Sequence, residues 1–475
     1  MSANISPVRG HADVLVGLQY GDEGKAKVID LIAGDYDIIA RFNGGANAGH
    51  TIDAPAGRVV LQQVPSGVFH PHTQLYIGSG SAVNLWKLKN ELDLVEAGGV
   101  DLTDRLFISD RCAVVQPAHF IIDETNSADI GTTKNGVGPC YADRASRVRN
   151  GIRVNVQLRD LLADPDTVMA AMRASAEAEL SRLAGDVQHL RERLDASITS
   201  LLECIERVRP FVQTDRGYLG RRVTAGARVL FEGAQSLMLD VVHGDQPYVT
   251  ASHTVPAYAY VGGDLSPQYH RYTIGVAKAV VSRVGNGPFP SELGAERAEA
   301  YFAAACAAGR GKAEENADYL PEELLRSADP MDLGIALRML THEYGSGTGR
   351  PRRIGLLDLQ QLREMVGLFG VDVVYLNKVD CLALYKESVY AGIPVRLTAE
   401  TAARDGEQVR ILPSFELSAV DPAAPELLPK ELLAFRSVVE QEIGAPVIGV
   451  GLGPERDRTA QFFRLGEHRL QETRT

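Results

Sequence analysis

Val14-Leu-Val-Gly-Leu18, Gly21-Asp-Glu-Gly-Lys-Ala-Lys27 and Val28-Ile-Asp-Leu-Ile32 follow one another near the start of the chain. The first is a short apolar run, the second a glycine–lysine loop, the third a helix-like stretch. A strand, a loop and a helix in this order make the simplest phosphate-binding layout. The first N–H groups of a helix lack intrahelical partners and attract anions. The loop fails the spacing of a Walker A motif. Taken alone, it reads equally well as a Gly- and Lys-containing surface turn.

Working outward, the run Asp37-Ile-Ile-Ala-Arg-Phe42 and further β-like runs at Val59–Val64, Gln74–Ile77, Leu106–Ile108, Arg228–Phe231, Val371–Leu376 and Val447–Val450 alternate with helical stretches. That alternation predicts an α/β fold: one large domain spanning residues 1–475, with a central, mainly parallel β-sheet flanked by helices. Two Ala- and Glu-rich regions, 160–215 and 294–343, predict helical additions. The 475 residues, 45% hydrophobic, suffice for a large core. A formal net charge of −12 argues against a nucleic-acid or membrane-surface binder, so anionic substrates would need local positive pockets. Five scattered cysteines without C-x-x-C spacing, and no long apolar run, fit a soluble protein of the reducing cytoplasm.

The loop Asn43-Gly-Gly-Ala-Asn-Ala-Gly-His-Thr51 is a second glycine-dense segment and carries His50. A lone histidine is more often structural than catalytic. Loops at the carboxyl ends of parallel strands converge on one crevice, however, so Asp22 and His50 could meet a common substrate. Asn377-Lys-Val-Asp380 follows another apolar run. Its carboxylate suits the N1–H and exocyclic amine of guanine, although four residues with one wildcard also arise by chance.

These segments, with Gly131-Thr-Thr-Lys-Asn-Gly-Val-Gly-Pro-Cys-Tyr141, Phe231-Glu-Gly-Ala-Gln235, His243-Gly-Asp-Gln-Pro-Tyr-Val-Thr250, Arg283-Val-Gly-Asn-Gly-Pro-Phe-Pro290 and Thr348-Gly-Arg-Pro-Arg-Arg353, stand in an order that resembles adenylosuccinate synthetases. The resemblance extends from about Val14 to Arg456. It implies a GTP-dependent ligase joining IMP to L-aspartate through a 6-phosphoryl intermediate, with Mg²⁺ on the phosphates, in a cytoplasmic homodimer of purine biosynthesis. Asp22 would be the base and His50 the acid, with Gln235 beside them at the purine. GTP would meet Gly21, Glu23, Gly24, Lys25, Ala26, Lys27, Gly49, His50, Thr51, Arg352, Asn377, Lys378, Asp380, Gly451 and Gly453. IMP would meet Asp22, Lys25, Asn47, Gly49, His50, Thr133, Gln235, Thr250 and Arg350, with Arg147 reaching in from the partner subunit. The amino acid would meet Ser346, Gly347, Thr348, Gly349, Arg350 and Arg352. Mg²⁺ would bind Asp22 and the Gly49 carbonyl.

The chain departs from the family pattern at Tyr20, Ala26, Ser236, Gly347 and Gly451, and by an insertion of roughly 35 residues between Leu293 and Tyr344, longer than an ordinary connection. Gly347 stands where a threonine is usual. These changes gather around the acceptor and amino-acid sites. They leave open a paralogue using GMP, dGMP or another amino acid, and a non-catalytic guanine-nucleotide-binding regulator. Retention of Asp22, His50 and Arg147 favours the ordinary reaction.

Overall fold

Strand β1 (Ala12–Gly17) is buried along its whole length, as a strand covered on both faces must be, and Val14 and Val16 suit it. The computed structural model describes residues 10–47, 49–54, 57–125, 132–149, 151–345, 349–417 and 420–465, with Thr51, Asp53, Ala54, Gly57 and Arg58 described by their backbone alone. Two compact units divide the chain. The first comprises the residues up to Val16 together with Ile29–Tyr272. The second comprises Gly17–Val28 together with the residues from Thr273 onward. Helix α1 (Lys25–Ile32) begins in the second unit and ends in the first.

In the first unit the main sheet and one hairpin are built from β1, β2 (Ile38–Arg41), β3 (His50–Ala54), β4 (Gly57–Leu61), β5 (Gln74–Ile77), β6 (Leu106–Ser109), β7 (Val212–Gln213) and β8 (Val229–Ser236). The sheet order is β7-β6-β5-β2-β8-β1, and the pairs from β7 through β8 run parallel. Strands β3 and β4 form a separate antiparallel hairpin, so His50 opens a strand instead of lying within the preceding loop. The apolar run Val59–Val64 leaves the ladder after Leu61. The buried Glu91 carboxylate there accepts the backbone N–H groups of Gln62, Gln63 and Val64 at 2.9–3.0 Å. Helices α2 (Leu85–Ala97), α3 (Pro117–Thr125), α4 (Pro165–Leu180) and α5 (Gln188–Val208) pack together, the last two lying within residues 160–215. Helix α4 is started by the Asp164 cap and Pro165 at its first position. In α5 the buried residues Leu194, Ile198, Leu201, Ile205 and Val208 recur at three and four, and this stripe faces α2.

The second unit repeats the scheme with β9 (His270–Lys278, entering from the first unit), β10 (Val281–Arg283), β11 (Arg353–Gly355), β12 (Val373–Asn377), β13 (Val447–Gly451) and β14 (Thr459–Gln461). The order is β9-β12-β13-β14; the first two pairings are parallel and the last antiparallel. The insertion folds as helices, chiefly α6 (Ala295–Ala307), α7 (Lys312–Asp318) and α8 (Pro330–Leu340). Helix α8 is capped by the Asp329 side chain on the Met331 N–H. Strand β9 is not evident in the sequence, because its first half is polar and Gly275 interrupts it. That glycine lets Leu18 approach so closely that a Cβ would lie 2.8 Å from the leucine side chain. The α/β class and the mainly parallel pairing are as expected. All five cysteines are free thiols; Cys112, Cys140 and Cys204 are buried, Cys306 and Cys381 partly so. Among the described residues no helix is long and apolar enough to cross a membrane.

Candidate functional site

The residues expected to meet GTP concentrate in the second unit, at the carboxyl ends of its parallel strands. Lys278 and Asn377 are register partners at the ends of β9 and β12, and Gly451 ends β13. The loop Gly21–Lys27 is braced from within. The Glu23 carboxylate accepts from the Gly21 N–H at 2.8 Å and from the Gln19 N–H at 3.1 Å, and pairs with Lys25 Nζ at 2.7 Å. Glu23 is fully buried, so its side chain holds the loop and is no phosphate ligand; only its backbone could serve GTP. Gly24 adopts φ +80°, a left-handed conformation that glycine takes without steric cost. Asn377 Nδ2 donates to the Glu23 carbonyl at 2.7 Å. A Cβ at Gly451 would lie 2.6 Å from Asn377 Oδ1, which accounts for glycine at that departure from the family pattern. Lys27 Nζ donates to the Gly453 carbonyl at 2.6 Å, and burial lowers its pKa to about 8. Asp380 is shifted upward by burial, against the opposing pull of Lys27 and Lys378.

Around Asp22 lies an ion cluster whose members are distant in sequence. Asp22 Oδ2 is 2.6 Å from Ser282 Oγ, 2.9 Å from Lys278 Nζ and 3.4 Å from Arg352 Nη1. Glu343, fully buried, faces the same groups: Lys278 Nζ at 3.0 Å, Arg352 Nη1 at 2.6 Å, Ser282 Oγ at 2.7 Å, and Lys378 Nζ. Burial alone would raise the Glu343 carboxyl; Lys278, Lys378 and Arg352 overcome it and hold it well below the usual range. Three cations thus meet two carboxylates; all but Lys378, whose side chain is 32% exposed, are largely removed from water, and each charge depends on its partners. Asp22 Oδ1 is buried and has no hydrogen-bond partner among the described residues. Lys278, Ser282 and Glu343 escape sequence reading, because an isolated Lys, Ser or Glu gives no periodic signal.

The first unit holds His50 and most of the other residues expected at IMP. Glu232 and Arg41 are register partners on β8 and β2. Glu232 Oε1 lies 2.6 Å from His50 Nδ1 and 2.7 Å from Ser66 Oγ, and its Oε2 accepts the Ser66 N–H at 2.8 Å. Arg41 Nη1 is 3.8 Å from Glu232 Oε1. Burial opposes ionisation of Glu232, but His50, Arg41 and Ser66 lower its pKa to about 2. Glu232 lies inside the quoted Phe231–Gln235 motif, although its role there is not legible from the motif alone. Gln235, at φ +63°, sends Nε2 to the Asn47 carbonyl at 3.4 Å, and Asn47 Oδ1 accepts the Gly45 N–H at 3.2 Å. Gly49 is exposed. Thr133 is exposed and accepts from Asn135 Nδ2, while Thr250 is half-buried with its N–H on the Leu239 carbonyl. Arg147, also exposed, has φ +63°.

Gly349 and Arg350 are exposed, whereas Arg352 is largely buried in the Asp22 cluster. Ser346, Gly347 and Thr348 lie outside the described residues. Arg353, which follows Arg352, is nearly fully buried. It is paired with Glu292 at 2.7 and 2.5 Å and donates to the Gly287 carbonyl.

A braced glycine–lysine loop at strand ends, a buried carboxylate with one open oxygen and an Asn-Lys-x-Asp turn define a nucleotide-using α/β enzyme. The adenylosuccinate synthetase family model matches residues 14–460. The chain is 52% identical over 458 residues to adenylosuccinate synthetase 2 of Cupriavidus pinatubonensis, covering 95% of this chain and 98% of that protein. It is 33% identical to the adenylosuccinate synthetase of Paraburkholderia phytofirmans, over 96% and 97%. The fully ligated Plasmodium falciparum adenylosuccinate synthetase superposes with TM-score 0.71 at 25% identity, covering 95% and 99%. A cyanophage S-2L succinoaminodeoxyadenylate synthetase shares the fold, at TM-score 0.59 and 18% identity over 96% of both chains. The chain belongs to the adenylosuccinate synthetase family, and is thereby a C–N bond-forming ligase.

Proposed function

We infer that this protein joins IMP to L-aspartate at the expense of GTP, yielding adenylosuccinate, GDP and phosphate, with Asp22 as base and His50 as acid. The observation that carries the assignment is the Asp22 carboxylate. One oxygen is fixed by Ser282, Lys278 and Arg352, while the other is buried without a partner among the described residues. Such an oxygen is suited to take the N1 proton of a 6-oxopurine, which makes O6 nucleophilic toward the γ-phosphate. The aspartate amine then displaces phosphate from C6.

His50 acts on the developing charge. With Nδ1–H directed at Glu232, the proton exchanged with substrate is the one on Nε2, and the anionic Glu232 stabilises the charged ring. Lys25, Lys27 and the loop backbone bind phosphates, and Lys378 and Asp380 bind guanine. Asn47, Thr133, Gln235 and Thr250 hold IMP, and Arg350 and Arg352 serve the amino-acid side. The orphaned Asp22 oxygen suits a hard cation. Mg²⁺ held by Asp22 and the Gly49 carbonyl would neutralise phosphate charge. The exposed Arg147, held in a backbone conformation uncommon for arginine, fits a residue offered to the partner of a homodimer. A cytoplasmic location accords with five free thiols.

The test is phosphate release from GTP across a matrix of IMP, GMP and dGMP against several amino acids. Turnover with IMP and aspartate is expected. Turnover confined to another pairing replaces the substrate assignment, and none at all refutes it.

A further inference from the structure

We propose that Glu315 and Arg338 of the helical insertion are positioning residues for the segment that carries Arg350 and Arg352, so that the insertion sets the grip on the amino-acid substrate. The proposal rests on the functional reading above and adds to it a role for a part of the chain that the reaction itself leaves unused.

Glu315, on α7, is 0% exposed, and Arg338, on α8, is 6% exposed. Their pairing is bidentate, with Nε to Oε2 at 3.0 Å and Nη2 to Oε1 at 2.6 Å. Two phenols complete the carboxylate: Tyr301 Oη on Oε1 and Tyr344 Oη on Oε2, each at 2.7 Å. Tyr301 belongs to α6, so all three main helices of the insertion meet at this carboxylate. Tyr344 belongs to the segment entering the amino-acid loop.

The loop's neck is closed by backbone hydrogen bonds from Gly345 N–H to the Arg350 carbonyl at 2.8 Å and from Arg352 N–H to the Glu343 carbonyl at 3.0 Å. The insertion holds both sides of this neck. Tyr344 is held on the entering side. On the returning side, Arg338 Nη1 donates to the Arg352 carbonyl at 3.1 Å. Gly311, just before α7, lies so near the Gly349 carbonyl that a Cβ would be 3.0 Å from it. Glu343 enters the Asp22 cluster while Tyr344 enters the insertion. A buried ion pair is a poor source of stability compared with apolar packing, but once satisfied on all sides it admits few alternative arrangements. That is the property a loop-positioning element needs.

The test uses the full-length variants Tyr344→Phe, which removes one hydroxyl, and Glu315→Gln, which removes the charge. Steady-state kinetics are measured with each of the three substrates varied, and amide hydrogen exchange is followed over residues 343–352. Tyr344→Phe should raise the KM for the amino acid about tenfold, the usual scale for one hydrogen bond to a charged group. The KM values for IMP, which Arg350 would also meet, and for GTP, which Arg352 would also meet, should rise less than that for the amino acid, and exchange across the neck should accelerate in both variants. Unchanged kinetics, or an equal rise in all three KM values, overturns the proposal. If the unmodified protein turns over no substrate pair, it is the functional reading that has failed. The exchange experiment then judges the positioning role alone, and unaltered exchange in Tyr344→Phe refutes it.

Discussion

Asp22 and His50 are prepared in opposite ways. The carboxylate in the second unit sits among Lys278, Arg352 and Ser282, with Lys378 nearby and Glu343 opposing the cations. The imidazole in the first unit leans on one carboxylate, Glu232, whose charge is sustained by Arg41 and a serine. Asp22 is defined by a crowd of charges, whereas His50 leans on one carboxylate, with Ser66 and Arg41 beside the same ring nitrogen at 3.3 and 3.4 Å. Perturbing the first should therefore propagate to several substrates, whereas perturbing the second should remain a local matter of proton delivery.

The largest effect should come from Asp22→Asn. It should reduce phosphate release by about 10⁴-fold, the upper range for loss of a general base, while equilibrium dialysis still detects GTP binding. Substantial residual turnover would remove Asp22 from its role. Glu343→Gln should follow, with kcat lower by about 10³-fold. The loss of a buried partner should also destabilise the fold by roughly 3–5 kcal/mol, read from urea midpoints. KM for both GTP and aspartate should rise, because Lys378 and Arg352 lose the same anchor. If only one KM moved, the cluster would not be a shared structure. His50→Asn should lower kcat by roughly 10²-fold with little change in any KM. Glu232→Gln should cost only about tenfold, because the amide oxygen still accepts from Nδ1–H without its charge. A Glu232→Gln loss equal to that of His50→Asn would show the carboxylate to be more than a support.

The smallest effect concerns pH. Glu232 titrates near 2 in the fold, against an ordinary value of 4.5. A depressed carboxyl contributes stability in full above its unfolded pKa and loses it as pH falls toward the folded one. The contribution is about 3 kcal/mol, present above pH 4.5 and lost between 4.5 and 2. The gap in urea midpoint between the wild type and Glu232→Gln should narrow as pH falls from 4.5 toward 2. A gap that widened on acidification would contradict the assigned ionisation.

Much of this was legible in the sequence for a physical reason. Buried parallel strands are apolar throughout, so Gln74–Ile77 and Val447–Val450 announce themselves, as do the three-and-four spacing of α5 and the turn chemistry at Gly24. The ordered motifs supplied the family and the expected site. Residues that act by long-range pairing were not visible. Lys278 ends a strand whose first half is polar, and Glu343 sits where an insertion rejoins the family pattern. Glu23 reads as a ligand by its place in the loop, but the fold spends its side chain on internal partners. Glu91 ends a strand that hydrophobicity would have continued to Val64.

Cys381 follows Asp380 directly, with its sulfur 3.8 Å from Asp380 Oδ2, and burial pushes its thiol up to about 12. At neutral pH only about one thiol in 10⁵ is ionised, so alkylating reagents should find it slow prey. Slowness is an advantage for a reporter. A thiol beside the carboxylate proposed to read guanine would react on the timescale of that turn's openings, and its modification by iodoacetamide would be a clock for how often the turn exposes itself.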